Sequence, residues 1–220
     1  MCPADTDAKA SKLALFTIFT TNLPLAGKLY KTVSLHLKMK DSHEYLEENL
    51  RSIIQSGSLQ NINLYQVNDT FFELPDEGFW IIDAGIELKF SSGVISAAWS
   101  TELESYVIEN NSLKDIYEQD NMYQIDNNHI SELKNFIGLN VIDVSFKSLN
   151  FEYIVDYTMR TEKEKRIVEM VLEFQNKSKI QIAFIDYLLE ENCPPKDFSF
   201  DIATELLVSS KKVIEIKNVG

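Results

Sequence analysis

The stretch "GIELKFSSGVISAAW" (residues 85–99) has the pattern of a β-hairpin. Apolar and charged residues alternate from Ile86 to Phe90, Ser91-Ser92-Gly93 supplies a turn, and apolar residues return at every second position from Ile95 to Trp99. A hairpin with one apolar face needs a second layer to cover that face. The stretch therefore predicts an antiparallel sheet packed on a hydrophobic core.

A second stretch, "MVLEFQNKSKIQIAF" (residues 170–184), has nearly the same pattern. Alignment of Phe90 with Phe174 also places Leu88 on Leu172, and the second turn is longer by one residue. The two hairpins indicate either a true structural repeat or neighbouring hairpins of one sheet. Any two amphipathic hairpins share this pattern, because alternation alone dictates it. Both interpretations stay open.

The clearest helix is predicted over residues 42–56. Asp41 and Glu44 have the spacing of a capping box, an apolar stripe runs from Leu46 to Ile54, and Gly57 follows. A second helix is predicted in "NHISELKNFIG" (128–138). Further strands are predicted in 31–39, 61–67, 69–74, 79–90, 140–146, 150–157, 166–174, 179–187 and 204–216.

These elements predict one α+β domain over residues 1–220. We expect a mainly antiparallel sheet that contains both hairpins, with two or three helices packed on it and a polar surface insertion at about 101–128. No linker rich in Pro, Gly or Ser divides the chain. The side chains expected to point inward are Leu46, Leu50, Ile86, Leu88, Phe90, Trp99, Ile142, Val144, Leu172, Phe174, Ile180, Ile182 and Phe184.

The chain is strongly acidic, with 34 Asp plus Glu against 21 Lys plus Arg and a formal net charge of −13. Such a surface repels phosphate backbones and anionic lipids, which argues against nucleic-acid and membrane partners. It attracts basic proteins, although acidity is also an ordinary route to solubility.

The cytoplasm is the predicted compartment. Cys2 and Cys193 lie far apart and outside any metal-binding or redox spacing, as expected of free thiols in a reducing compartment. The segment "KLALFTIFTTNLPLAG" (12–27) is interrupted by polar residues, and it is too short and polar to span a bilayer. We interpret it as a core element rather than a secretory signal.

No catalytic, cofactor or metal signature is present. The chain has no G-x-S-x-G, Walker or Rossmann motif, and "HEYLE" (43–47) lacks the second His of a zinc-protease motif. We therefore expect no cofactor, no metal and no catalytic residue. One alternative remains, because two of the carboxylates on or beside the strands could converge as an acid–base pair. These carboxylates are Asp83, Glu87, Asp143 and Asp186.

The segments "IDAGIELKFSSGVISAAWSTE" (82–102), "FIGLNVIDVSF" (136–146) and "VLEFQNKSKIQIAFIDY" (171–187) resemble the small acidic immunity proteins of bacterial polymorphic-toxin systems. The likeness extends over about residues 79–188, although the second hairpin turn lacks the family's glycine. The resemblance implies a cytoplasmic non-enzyme that binds and blocks one cognate toxin with a basic active site. It transfers no site to particular residues.

We therefore predict a protein-binding inhibitor. The alternatives are a structural or regulatory module that self-associates through a sheet edge as a homo-oligomer, and a hydrolase-type enzyme with a carboxylate pair. Acidic loop residues are expected to steer a basic toxin towards the inhibitor. The candidates are Asp76, Glu77, Glu102, Glu104, Asp115, Glu118 and Asp120.

Overall fold

A computed structural model describes residues 42–68, 72–74, 77–117, 121–155, 160–189 and 194–218. The helices are α1 (Ser42–Ser56), α2 (Leu113–Tyr117) and a 3-10 helix (Leu133–Phe136). The strands are β1 (Leu59–Gln66), β2 (Phe72–Leu74), β3 (Phe79–Ile82), β4 (Gly85–Phe90), β5 (Gly93–Ser100), β6 (Ser105–Glu109), β7 (Tyr123–Gln124), β8 (Val141–Val155), β9 (Arg160–Phe174), β10 (Lys179–Leu188), β11 (Lys196–Phe200) and β12 (Glu205–Ser209).

The strands form two antiparallel sheets. The first has the order β6-β5-β4-β1-β7, and the second has the order β2-β3-β12-β10-β9-β8, with β11 paired to the end of β10. The predicted class, mainly antiparallel sheet with few helices, is confirmed. The first hairpin is β4–β5 and the second is β9–β10, as their alternating patterns predict.

The two hairpins lie in different sheets, so the expectation of one central sheet that contains both is wrong. The reason is a break in the predicted strand 79–90. At Asp83-Ala84 the chain leaves β3 in the second sheet and enters β4 in the first. Leu88 and its match Leu172, together with Ile95 and its match Ile180, belong to one hydrophobic cluster. Matching positions of the two hairpins thus line the same core.

Ten of the side chains expected to point inward are buried: Leu50, Ile86, Leu88, Phe90, Val144, Leu172, Phe174, Ile180, Ile182 and Phe184. Leu46 and Trp99 are partly buried against the same core. Ile142 is the error, with 48% of its surface exposed. A β-bulge between Val141 and Asp143 reverses the faces of β8 there, so Val141 takes the inward place that alternation assigned to Ile142.

Two segments differ from the expected local structure. Residues 128–138 form turns and the 3-10 helix instead of a full α-helix, although Gly138 has the expected left-handed backbone (φ 84°).

Residues 101–128 are more than a surface insertion, since they supply edge strand β6 and helix α2. Tyr106 and Ile108 enter the main core, and Leu113 covers the outer face of the first sheet.

Helix α1 has the predicted bounds and lies along edge strand β8. Arg51 Nη1 donates a hydrogen bond of 2.6 Å to the backbone oxygen of Val144, and its guanidinium lies 4.9 Å from the ring centre of Phe146. Nearer the start of the helix, His43 Nε2 and Ser148 Oγ share a hydrogen bond of 3.0 Å. Covering an edge strand in this way hides part of its unpaired backbone.

Several predictions lie outside the described residues. They are the opening element 12–27, the strand 31–39, the Asp41 cap, the two cysteines, and the site candidates Asp76, Glu118 and Asp120.

Candidate functional site

The point at which the chain crosses between the sheets collects polar groups. The carboxylate of Asp83 accepts hydrogen bonds from the backbone N–H of Val67 (2.7 Å) and of Asn68 (3.2 Å), and from the side-chain amide of Asn68. The backbone N–H of Asp83 donates to the Gln66 side chain at 3.0 Å. These bonds fix Asp83 against the end of β1.

Glu205 lies next to Asp83 because of the strand register. Leu206 pairs with Ile82 where β12 meets β3, so one further step along this antiparallel ladder sets Glu205 opposite Asp83. Burial, reinforced by the negative charge of Asp83, raises the pKa of Glu205 to about 7. The corner between the sheets therefore holds a carboxyl group that titrates near neutral pH.

Two tyrosines adjoin this carboxyl pair. The hydroxyl of Tyr106 donates a 2.8 Å hydrogen bond to the backbone oxygen of Asp83, and its ring stacks on Phe184. Burial, with the charges of Glu205 and Asp83 next, raises the pKa of Tyr106 well above its usual value. Burial, followed by the charge of Glu205, also raises the pKa of Tyr187. Both phenols thus stay protonated near neutral pH, and that of Tyr106 serves as a hydrogen-bond donor.

We call Asp83, Glu205, Tyr106 and Tyr187 the corner cluster. In this cluster Glu205 can donate or accept a proton near neutral pH. The neighbouring carboxylate, Asp83, is held in place by hydrogen bonds. The described residues include no group of three or more His, Cys, Asp or Glu side chains that could hold a metal ion.

The structure does not bring together the carboxylates singled out as a possible acid–base pair. Glu87 accepts a 3.1 Å hydrogen bond from the backbone N–H of Leu113, at the start of α2. Asp143 and Asp186 are exposed at different strands. Glu205, the neighbour of Asp83, was missed, because its pairing with β3 joins residues far apart in sequence and no local pattern marks it.

The four predicted partner-binding carboxylates that the structure describes are also spread over different elements. Glu102 and Glu104 share the turn between β5 and β6, which we call the acidic turn (residues 101–104). Asp115 lies on α2 and accepts a 2.6 Å hydrogen bond from Ser112 Oγ. Glu77, at the β2–β3 turn, forms an ion pair of 2.8 Å with Lys212.

The acidic turn has an apolar tip. Leu103 is 45% exposed and stands between Glu102 and Glu104, for which the described residues provide no ion-pair partner. Its backbone N–H donates to Ser100 Oγ at 3.2 Å, and Glu104 adopts a left-handed backbone (φ 48°). These features give the turn a defined shape. The prominent leucine was not predicted, since a single apolar residue in a polar segment carries no periodic signal.

Two histidines, His43 and His129, lie within the described residues. Burial, followed by the charge of Lys165, lowers the pKa of His43, which favours its neutral form beside Ser148. His129 Nδ1 lies 2.9 Å from a carboxylate oxygen of Glu73. Both side chains connect structural elements to each other.

Comparisons of the chain with protein-family models, with curated proteins and with solved structures return no match. Of the helices in the described ranges, none has the length and apolar character that crossing a membrane requires.

Proposed function

We propose that this chain is a non-enzymatic, protein-binding inhibitor of the cytoplasm, and that it acts as an immunity protein which binds and neutralises a basic toxin. We take the whole chain to act as one unit, as its sequence predicts. The supporting arguments are the net charge of −13, the resemblance in the hairpin segments and the geometry of the acidic turn.

The acidic turn is the observation on which the proposal chiefly depends. Protein interfaces combine an apolar centre with a polar rim, and Leu103 between Glu102 and Glu104 has this arrangement on a small scale. The turn is already shaped by its bond to Ser100, so little conformational entropy would be lost on binding. The two carboxylates would steer a basic partner towards the leucine.

The test uses the product of a neighbouring toxin gene. Its association and dissociation rates are measured with the wild type, with the double variant E102K/E104K, and with E48K/E215K as a control that changes the net charge equally at exposed sites elsewhere. We expect E102K/E104K to slow association about tenfold or more at low salt, with a smaller effect at high salt and little change in dissociation. The control should have a much weaker effect.

A second comparison separates the contribution of Leu103 to binding from that of the two glutamates. Leu103→Ala should speed dissociation by about fivefold or more, because it removes an apolar contact made only in the complex. Val213→Ala, at a residue 49% exposed outside the acidic turn, is the matched control. Absence of binding by the wild type would refute the immunity function. Equal slowing of association by both double variants would refute the acidic turn as the docking point.

A hydrolase-type enzyme is the second candidate, because Glu205 combines a pKa of about 7 with a neighbouring carboxylate. An acid or base with such a pKa works efficiently near neutral pH. If the corner cluster is catalytic, chromogenic ester, phosphate or glycoside substrates should include one that the wild type hydrolyses and Glu205→Gln does not. Equal rates for both proteins across the whole set would argue against the enzyme.

A further inference from the structure

Strands β8 and β9 form a two-stranded arm that extends beyond their neighbours. The pairing of β10 with β9 ends at Ala183 and Glu169, whereas β8 and β9 stay paired out to Val155 and Arg160. Within the described part of the chain, no strand pairs with the outer side of β8. Such an edge presents backbone N–H and C=O groups that can pair with another strand.

Helix α1 covers only the first part of this edge. Its hydrogen bonds to β8 join Arg51 of the helix to Val144 and His43 of the helix to Ser148. The described helix begins at Ser42, immediately before His43. The cover that α1 provides therefore stops at Ser148. As far as the described residues show, the open edge comprises residues 149–155 of β8.

The arm is nearly neutral in a strongly acidic chain. Residues 147–167 contain five Lys or Arg and four Asp or Glu, against a net charge of −13 for the whole protein. Two copies that meet through acidic surfaces repel each other. The repulsion is weak at the arm, because its positive and negative charges nearly cancel. A second copy of the chain is therefore a compatible partner for the arm.

We propose that the open edge of β8 is a self-association site, at which the β8 strands of two copies pair antiparallel about a two-fold axis at Phe151. An axis at Asn150 would leave only residues 149–151 to pair, because α1 covers the edge up to Ser148. An axis at Glu152 would set two glutamates directly opposite each other, which is unfavourable. The axis at Phe151 lets residues 149–153 pair, keeps the two glutamates from facing each other and pairs the two phenylalanines.

The charges on the arm are complementary in this register. Within one chain Glu152 lies opposite Lys163, with 2.5 Å between their charged atoms, and Asn150 lies opposite Lys165. All four side chains are exposed on one face. Across the axis Asn150 would face Glu152 of the second copy, so this one face would carry two continuous rows, each running from lysine through Glu152 and Asn150 to lysine. No like charges become direct neighbours.

Residue 150 allows a sharp test, because its neighbours within and between chains have opposite charges. Asn150→Glu is attracted to Lys165 of its own chain but repelled by Glu152 of the second copy, and Asn150→Lys has the reverse relations. Sedimentation equilibrium of the full chain should show a dimer whose dissociation constant rises about fivefold in Asn150→Glu and falls by a similar factor in Asn150→Lys. Thermal stability of the dilute monomers should change in the opposite order.

Two further outcomes decide the partner. Hydrogen exchange of those amides in residues 149–153 that point away from β9 should slow as the protein concentration rises, because a second copy would accept their hydrogen bonds. Protection that does not depend on concentration would show that residues of the same chain cover the edge, and would overturn the proposal. A wild type that stays monomeric to about millimolar concentration, or two variants that shift dimerisation in the same direction, would also overturn it.

Discussion

At the scale of a residue, Glu205 couples stability to pH. Its pKa of about 7 in the folded protein lies above the ordinary value of 4.5, so between these values the folded state binds the proton more tightly than the unfolded chain does. The stabilisation is complete below pH 4.5 and is lost as the pH rises through 7. We expect the free energy of unfolding of Glu205→Gln to be about 1–2 kcal/mol higher than that of the wild type at pH 8, and equal to it near pH 4. This range allows for the weakening of the effect by solvent, because Glu205 is partly exposed.

Urea unfolding at the two pH values measures this difference. Glu215→Gln is the matched control, since Glu215 is exposed and should leave stability nearly unchanged at both. A difference between Glu205→Gln and the wild type that is the same at pH 4 and pH 8 would contradict the assignment of the titrating group to Glu205.

At the scale of an element, the start of β4 depends on a glycine. A Cβ atom on Gly85 would lie 2.6 Å from the backbone oxygen of Ala97 and 2.9 Å from the Cα atom of Ala98, both in the paired strand β5. Backbone atoms in a ladder cannot move aside without loss of hydrogen bonds. We expect Gly85→Ala to lower the free energy of unfolding by about 2–4 kcal/mol, as measured by chemical denaturation.

Gly93→Ala is the control for this substitution. Gly93 belongs to the same hairpin, but the atoms nearest to its added Cβ would be those of the Ile53 side chain, at 3.3 Å. That side chain can shift, so a loss of less than about 1 kcal/mol is expected. Equal losses for the two variants would show that the close approach at Gly85 does not constrain the strand.

Alternation in the sequence predicted most elements and their inward faces, because each depends on residues close together in the chain. It failed at Ile142, where a bulge inserts a residue that periodicity cannot reveal. It also read residues 79–90 as one strand, since Asp83-Ala84 interrupts an apolar run without a proline or a clear turn signal. Which sheet each strand joins is decided by contacts distant in sequence.

The candidate sites show the same limit. Glu102 and Glu104 are exposed residues of a turn, as expected because polar loops are recognisable from composition, whereas their role in binding stays a prediction. The corner cluster was recognised only in part, through Asp83, because Glu205 reaches it by pairing of β12 with β3. The long edge of β8 was also not predicted, since its strand was divided into two at residues 146–150.

At the scale of the whole molecule, the net charge of −13 should oppose folding through self-repulsion. Salt screens such repulsion mainly below about 0.2 M, where the Debye length falls from about 30 Å at 0.01 M to under 10 Å. We expect the unfolding temperature to rise by about 2–4 °C between roughly 20 and 200 mM NaCl, as measured by differential scanning calorimetry.

Screening is nearly complete above about 0.3 M, whereas preferential exclusion of salt from the protein surface still increases with concentration there. An unfolding temperature that rises with the same slope above this concentration would therefore contradict screening as the cause. The variant E48K/E215K gives a matched comparison. Its net charge is less negative by four units, so its dependence on salt should be shallower than that of the wild type.

The crossing at Asp83-Ala84 also has a mechanical meaning. Two residues of extended chain span only about 7 Å, so the sheets are joined at this end by a very short tether. The side chain of Asp83 holds one end of that tether to β1, and its backbone oxygen holds it to Tyr106. A force that drags one sheet across the other must break these hydrogen bonds before the sheets can slide. The corner therefore gives the two sheets mechanical resistance to shear.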